Sequence, residues 1–502
     1  MIRKYYTNYK HFEHLKIVLF NSDNDDAENE AKKLLPQSNS KSKIVSNRAD
    51  YTYRLVDGWP STTRYKYHPS QYQQQYQNIG VGTDFNISKV TYTPDQLLYY
   101  RTVHQLLRFD FAIDEITKQA QSPVPPCGDS NIIIVLDTGI NDRHEAFSSS
   151  DYLVHLSDTH TLKAEGLVIK RSAIGDNGDD DYMVHGHGTA VSYLVRVFAP
   201  NADIISMKVM RKVVTSTGRT EWQATDEDIL EGLNTAIHII DVERERKHSF
   251  GTPYITELYN MSFGGEPSPT PTPVELAIAH VSKQRPQSLF IGAAGNTGPM
   301  PSTIVTPAQS PWCVAVGACD SSFIVTSFSA RGPSRGLTKP EYLLPGLGLI
   351  AASRAGVSEY AQFTGTSFAT PLLTGGIATL LSGAFFITPQ MQRFIQTLAE
   401  LKLDIQGIMN YVGTKITVKP MVLDANLHGK DNVYGWGIPQ GDRIAATIGF
   451  IIQQMQQPPS APSLLLSTLV TTLTNTVVTG TTTAVFAGSL RELVELLLAS
   501  SS

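Results

Sequence analysis

Three short segments of this chain each carry a side chain suited to one role in hydrolysis. Asp137 begins an Asp-Thr-Gly segment, His187 begins a His-Gly-Thr segment, and Ser367 lies within Gly-Thr-Ser-Phe-Ala-Thr-Pro. A serine hydroxyl is a weak nucleophile at neutral pH and needs an adjacent base to take its proton. Histidine titrates near neutrality, and a buried carboxylate can fix its tautomer and stabilise the imidazolium. The three residues together predict a nucleophilic triad.

Each of these residues also has an ordinary structural interpretation. An aspartate at a strand end is usually a turn or cap residue, a histidine beside glycine is usually a loop residue, and Gly-Thr-Ser usually forms a turn. The catalytic interpretation depends on all three segments occurring in one chain, in this order and with their flanking residues intact. His185 lies close to His187, but only His187 precedes Gly-Thr, so we interpret His185 as a neighbouring loop residue.

The order Asp, His, Ser and the residues around each of them resemble the subtilisin-like serine proteases, the subtilase family. The resemblance extends from about residue 127 to residue 450. It implies an endopeptidase in which Asp137 is the acid, His187 the base and Ser367 the nucleophile that forms an acyl-enzyme. It also implies that Asn296, in Ala-Ala-Gly-Asn-Thr-Gly, donates to the oxyanion of the transition state together with the backbone N–H of Ser367.

The same resemblance implies a polypeptide substrate and indicates how it would bind. Ser262, Phe263 and Gly264 lie in a segment similar to the family strand whose backbone pairs with an extended peptide. Such pairing supplies affinity without reading sequence, while side-chain pockets supply specificity. Val305 stands where many relatives have glycine at the floor of the primary pocket. Because valine adds apolar bulk and no charge, the sequence predicts a shallow pocket that disfavours Arg and Lys.

The apolar pattern after residue 126 predicts the elements that position these residues. A β-branched run ends at Asp137 and is typical of a strand buried on both faces. Similar runs alternate with segments of helical periodicity, such as residues 226–246, which Thr225 is placed to cap. This alternation predicts an α/β fold with a mostly parallel sheet and helices on both faces, as in the three-layer subtilisin arrangement. The site would lie at the carboxyl ends of the strands.

Composition divides the chain into three regions. We interpret residues 1–126, which end in Pro-Val-Pro-Pro, as a propeptide or an accessory domain, and residues 127–450 as the peptidase domain. Residues 451–502 form a Thr-, Ser- and Leu-rich tail. This tail is too hydroxyl-rich for a typical spanning helix, so we interpret it as disordered or as docking to a partner, with membrane association as the alternative.

Overall composition indicates an ordinary globular protein. The 502 residues carry a net charge of -5, which indicates no strong field for binding nucleic acid. Three cysteines cannot all pair within the chain, and Cys313 and Cys319 flank a strand-like run, so we expect buried thiols rather than disulfides. The N-terminus shows no secretory signal, which favours a cytoplasmic location, with unconventional export as the alternative.

Neither a metal nor an organic cofactor is expected. Ala146 stands where the family often has a calcium-binding aspartate, and the loop after His187 is short, so the family's strong calcium site is predicted to be absent. The acidic residues 176–181 could bind calcium or a basic substrate side chain, or could form a solvated loop. Two other functions remain open: a transpeptidase or macrocyclase that passes the acyl group to an amine, and a catalytically silent scaffold.

Overall fold

The computed structural model describes residues 103–120, 124–382, 430–439 and 441, except for positions 184, 215, 217, 219, 250–255 and 286. It also describes the backbone of four short strands, at 15–19, 42–46, 52–55 and 417–418. The tail at 451–502 lies outside the described residues, as does most of the region 1–126, so the interpretation of the tail stays a prediction.

After residue 130 the described helices are separated from one another by two or more strands. The helices are α1 (Phe109–Ala120), α2 (Glu145–Ser148), α3 (Gly188–Phe198), α4 (Asp226–Ser249), α5 (Pro273–Gln284) and α6 (Thr366–Leu380). The strands are β1 (Leu15–Leu19), β2 (Ser42–Ser46), β3 (Thr52–Leu55), β4 (Asn131–Asp137), β5 (Leu153–His155), β6 (Thr161–Lys163), β7 (Val168–Ser172), β8 (Asp203–Lys208), β9 (Arg211–Val214), β10 (Thr220–Thr225), β11 (Thr256–Met261), β12 (Phe263–Gly264), β13 (Ser288–Ala293), β14 (Cys313–Cys319), β15 (Tyr342–Pro345), β16 (Leu349–Ala352), β17 (Tyr360–Phe363), β18 (Thr417–Val418) and β19 (Ile438–Pro439).

The central sheet contains seven strands in the order β15-β14-β13-β11-β4-β8-β7. Every neighbouring pair in it is parallel. Strand β4 lies in the interior of this sheet and is buried along its whole length, which explains why its sequence is a continuous β-branched run rather than an alternation. The predicted parallel α/β sheet is confirmed.

Two hydrophobic clusters cover the two faces of this sheet. Successive side chains of a strand point to opposite faces, so alternate residues of β4 enter different clusters. Ile133 and Val135 pack with residues of helices α3 and α6, whereas Ile132, Ile134 and Leu136 pack with residues of α4 and α5. Helices therefore cover both faces, which gives the predicted three layers.

Helix α1 belongs to the main core, although it precedes the predicted domain boundary at residue 126. Its Ile113 and Ile116 are buried in the same cluster as α3 and α6. The Phe109 ring makes an edge contact with Phe198 at a centroid distance of 5.5 Å. The composition of the Pro-rich segment is typical of a linker. The apolar face of α1 nevertheless packs against the sheet domain, because exposing it to water would be unfavourable.

Local signals position the ends of the elements that carry the site. Thr225 caps α4 as predicted: its Oγ1 accepts from the backbone N–H of Asp228 at 3.2 Å, and its own N–H donates to the Asp228 carboxylate at 2.9 Å. Gly365 precedes α6 with a φ of 152°, a backbone conformation that residues with a Cβ rarely adopt. The chain can therefore turn sharply into the helix that begins beside Ser367.

The expectation for the cysteines is met within the described residues. Cys127, Cys313 and Cys319 are free and buried, and burial raises the pKa of the Cys313 and Cys319 thiols. The prediction of buried thiols is confirmed. None of the described helices is both long enough and apolar enough to cross a membrane.

Candidate active site

Asp137 and His187 form a buried hydrogen-bonded pair at the carboxyl end of the central sheet. The Nδ1 atom of His187 lies 2.7 Å from Oδ1 of Asp137, and the two side chains are 1% and 0% exposed. A Cβ on Gly188 would clash with the carbonyl oxygen of Gly139, so glycine lets the start of α3 approach the end of β4. A carboxylate that accepts from Nδ1 favours the tautomer with the proton on Nδ1. In that tautomer Nε2 is the atom that can accept a proton.

Ser367 is the second residue of α6 and is fully buried. Its Oγ donates to the carbonyl oxygen of Ser262 at 2.9 Å, and the Oγ of Ser262 donates to the carbonyl oxygen of Ser367 at 2.7 Å. The ring of the next residue, Phe368, lies 5.0 Å from the His187 ring, centroid to centroid. The structure thus brings the start of α6, the cleft segment at Ser262 and the Asp137–His187 pair together.

Asn296 is held directly beside the start of α6. Its Oδ1 accepts from the backbone N–H and from the Oγ1 of Thr366, each at 3.0 Å, and the side chain is only 5% exposed. Two donors on Oδ1 fix the orientation of the amide, so Nδ2 is the atom directed away from Thr366. The amide group and the N-terminus of α6, where a helix favours negative charge, are therefore adjacent.

A second sheet forms the cleft next to these residues, in the order β12-β3-β10-β9. Strand β3 lies between β10 and β12 and is antiparallel to both. Leu55 pairs with Phe263, and Arg54 pairs with Gly264 on one side and with Gln223 on the other. Phe263 and Gly264 thus pair with an internal segment of this chain, and their pairing with a peptide substrate stays a prediction.

A family model described as "Subtilase family" matches residues 128–437, which is more than half of the chain. The chain belongs to the subtilase family. Serine protease AprX from Bacillus subtilis (strain 168) is 28% identical over 259 residues, which cover 45% of this chain and 55% of AprX. Subtilisin-like serine protease Rho m 2.0101 from Rhodotorula mucilaginosa is 27% identical over 302 residues, covering 56% of this chain and 76% of that protein.

The fold is also similar to solved structures. S41 Psychrophilic Protease has a TM-score of 0.43 and 22% identity, and the match covers 65% of this chain and 96% of that one. The match to AprX spans little more than half of that relative, 55% of its length.

In this subtilase, Val305 lies against strand β12 of the second sheet. A Cβ on Gly264 would clash with the Val305 side chain, and a Cβ on Gly295 would lie 2.8 Å from its Cγ1. Val305 is therefore packed between β12 and the turn that leads to Asn296. Its role as the floor of a specificity pocket stays a prediction.

Two lysines form ion pairs with the acidic loop of this subtilase, residues 176–181. The Nζ of Lys208, whose side chain is 2% exposed, lies 2.7 Å from the carboxylate of Asp176 and 3.3 Å from that of Asp181. Lys170 pairs with Asp179 at 2.6 Å. Among the described residues, no group of three or more His, Cys, Asp or Glu side chains is placed to hold a metal ion. The sequence did not indicate that lysine side chains would supply positive charge to this loop.

One buried acidic residue at the site was not singled out from the sequence. Asp180 is 5% exposed, and burial together with the nearby Asp137 raises its pKa to about 6. In the sequence it lies between Asp179 and Asp181, and nothing distinguishes it from them. It accepts hydrogen bonds from Thr138, which follows Asp137, and from Thr189, which lies two residues after His187.

Proposed function

We propose that this subtilase is a serine endopeptidase that hydrolyses peptide bonds through Asp137, His187 and Ser367 by way of an acyl-enzyme. The observation that carries the proposal is the buried Asp137–His187 hydrogen bond beside a slot that accepts one extended strand. Neighbouring strands lie about 4.8 Å apart, so the space between β10 and β12 fits a single polypeptide backbone. A substrate would replace β3 in that space.

The three triad residues would act in sequence. Nε2 of His187 would take the proton from Ser367 Oγ, and Asp137 would stabilise the imidazolium. In the present arrangement the Ser367 hydroxyl donates to the Ser262 carbonyl, so attack requires that it turn to the imidazole. Such a rotamer change is fast compared with turnover, and hydrogen bonds between catalytic groups are often completed only when substrate is bound.

Charge that develops on the substrate carbonyl oxygen would be stabilised by two donors. Nδ2 of Asn296 is one of them, because Thr366 holds Oδ1 of the same amide and thereby fixes its orientation. The backbone N–H of Ser367, in the first turn of α6, is the other. Donors that are fixed in advance need no reorganisation during the reaction, and this makes them effective.

The cleft geometry favours internal peptide bonds over chain ends. Strand β3 is an internal segment, since the chain continues on both sides of residues 52–55. It runs antiparallel to β12, so that Leu55 lies opposite Phe263. In any peptide bound in the same register, the residue that follows the position of Leu55 would face Ser262. Ser262 contacts Ser367. A polypeptide bound as β3 is bound would therefore bring the bond after this position to the nucleophile.

We propose in addition that β3 competes with substrate, so that the N-terminal region inhibits the enzyme until β3 leaves the cleft. Both sides of β3 are hydrogen-bonded, which makes it a central strand rather than an edge strand. The cytoplasmic location and any membrane contact of the tail remain predictions that this arrangement does not bear on.

Incubation of the purified chain with an internally quenched peptide, followed by mass spectrometry of the products, tests the proposed reaction. Hydrolysis by the wild type, with complete loss in Ser367→Ala and His187→Ala, is the expected result. Ser322→Ala is the matched control, because this serine is exposed on a loop and should leave the rate unchanged. Ligated products in the presence of an added amine would favour the transpeptidase alternative. An absence of reaction even in a variant that displaces β3 from the cleft would favour the scaffold.

A further inference from the structure

Asp180 is separated from Asp137 by a single hydroxyl group. The Oγ1 of Thr138 lies 2.8 Å from Oδ1 of Asp180 and 3.3 Å from Oδ1 of Asp137. The same Asp137 oxygen is the one that contacts Nδ1 of His187. Because a threonine hydroxyl has one hydrogen, it can donate to only one of the two carboxylates at a time. The shorter distance assigns that hydrogen to Asp180.

The carboxylate of Asp180 is saturated with donors. An ionised carboxylate has about four acceptor sites, and all four are used here. Oδ1 accepts from the Oγ1 of Thr138 at 2.8 Å and from the backbone N–H of Tyr182 at 3.0 Å. Oδ2 accepts from the backbone N–H of Thr189 at 2.9 Å and from its Oγ1 at 2.7 Å. These four hydrogen bonds favour the charged form of the side chain, although burial outweighs them and raises its pKa.

These bonds connect the two elements that supply the acid and the base. Thr138 directly follows Asp137 at the end of β4, and Thr189 lies in the first turn of α3, which begins directly after His187. The backbone N–H of Gly188 donates to the Thr138 hydroxyl at 2.9 Å, so this hydroxyl links both elements. Thr138 and Thr189 are fully buried, and water cannot take the place of the carboxylate there.

We propose that Asp180 is a positioning residue for the Asp137–His187 pair: it holds the Thr138 hydroxyl hydrogen, and so keeps Oδ1 of Asp137 available to Nδ1 of His187. Without an acceptor at position 180, the hydroxyl turns to Asp137 and competes with the imidazole for the same oxygen. The inference rests on the proposed function for its catalytic meaning, but the arrangement of hydrogen bonds is independent of it.

Asp180→Asn is the first variant, because it keeps the shape of the side chain and replaces one acceptor atom with an NH₂ group. Its amide can donate to Thr138 and release the threonine hydrogen toward Asp137. We expect kcat to fall by about 10- to 100-fold, with KM changed less than about threefold, since a misplaced catalytic group affects the chemical step. Asp179→Asn is the matched control: this neighbouring aspartate pairs with Lys170, and its loss should leave kcat unchanged.

The Nδ1 proton of His187, observed by NMR in a chain with ¹⁵N-labelled histidine, gives a readout that a purely structural role would not change. We expect a low-field resonance in the wild type and in Asp179→Asn, and an upfield shift in Asp180→Asn. This measurement needs no proteolysis. A chain that hydrolyses no peptide even when β3 is displaced, but shows this pattern, would contradict the proposed function and support the role of Asp180.

Thr138→Val makes the inference falsifiable even if Asp180→Asn does not fold. Valine has no hydroxyl to compete for Asp137, so the low-field resonance of Thr138→Val should persist. In a double-mutant cycle, the loss of kcat caused by Asp180→Asn should be largely absent in the Thr138→Val background. Loss of the resonance in Thr138→Val, an Asp180→Asn spectrum like that of the wild type, or additive effects of the two substitutions would each overturn the proposal.

Discussion

Leu55 pairs with Phe263 in an antiparallel ladder, although these residues are far apart in the sequence. The ladder puts an internal segment of the chain into the slot between β10 and β12, beside Ser262 and the start of α6. The space between β10 and β12 is thus occupied by an internal segment of the chain itself. This arrangement links access to the site with the position of the N-terminal region.

Displacing β3 should activate the enzyme. Arg54→Pro removes a backbone N–H from a strand that is paired on both sides, and proline is not tolerated in such a strand. We expect the rate of Ser367 labelling by a fluorophosphonate to rise several-fold. Arg54→Ala keeps the N–H and is the control, with a rate near that of the wild type. A lower labelling rate in Arg54→Pro alone would show that β3 does not block the cleft.

Removal of the Asn296 amide should reduce the rate of the chemical step. For Asn296→Ala we expect kcat to fall by about 10²- to 10³-fold, the magnitude known for the equivalent donor of subtilisin, with a smaller change in KM. Asn177→Ala, in the exposed acidic loop, is the control. Steady-state kinetics on one peptide measure both constants, and a change confined to KM would remove Asn296 from the oxyanion site.

Asp180 should make the stability of the fold depend on pH. Its pKa is raised from 3.8 to about 6 when the chain folds, mainly by burial. Between these two pH values the folded state holds a proton that the unfolded state has released, so this contribution to stability is present below pH 4 and is lost as the pH rises through 6. At 1.36 kcal/mol per pH unit the change is about 3 kcal/mol.

Urea denaturation of Asp180→Asn and of the wild type at pH 4 and pH 7.5 measures this effect. The stability of the variant relative to the wild type should increase at the higher pH, even though the variant leaves the partly buried backbone N–H of Tyr182 without its acceptor. A relative stability that does not change with pH would mean that the Asp180 carboxyl has an ordinary pKa in the folded state.

Val305 should restrict the residue that precedes the cleaved bond. Its side chain packs against Gly264 and lines the approach to the cleft strand, so we expect cleavage after Ala, Val or Leu rather than after Arg, Lys or Trp. Val305→Gly should extend cleavage to Phe and Tyr. Profiling of cleavage sites in a denatured protein mixture measures this preference, and dominant cleavage after Arg or Lys would contradict it.

The central sheet could be predicted, and the three candidate triad residues could be singled out, because their signals are local. The apolar run of β4 ends at Asp137, and each of the other two residues has its own short motif. Strand β3 could not be predicted in the same way, because pairing between Leu55 and Phe263 is non-local and leaves no pattern in either segment. Its backbone partners in β10 and β12 lie outside any sequence window around residues 52–55.

Asp180, whose carboxylate lies next to the Asp137–His187 pair, could not be singled out from the sequence for a different reason. Asp180 is one of several consecutive acidic residues, and composition assigns all of them to a solvated loop. Only the approach of Thr138 and Thr189 from two different elements buries Asp180, while Asp179 stays partly exposed and pairs with Lys170. Which carboxylate turns inward depends on the packing of β4 against α3, and that packing is a property of the folded chain.

Mapping of a fluorophosphonate adduct by mass spectrometry tests the central claim most directly. The measurement should use the Arg54→Pro chain, in which the cleft is expected to be open, with His187→Ala and the matched control His185→Ala added to it. We expect a single adduct on Ser367 that is lost with His187→Ala and retained with His185→Ala. Labelling of Ser367 that is equally strong without His187, or an adduct on another serine alone, would contradict a nucleophile activated by the Asp137–His187 pair.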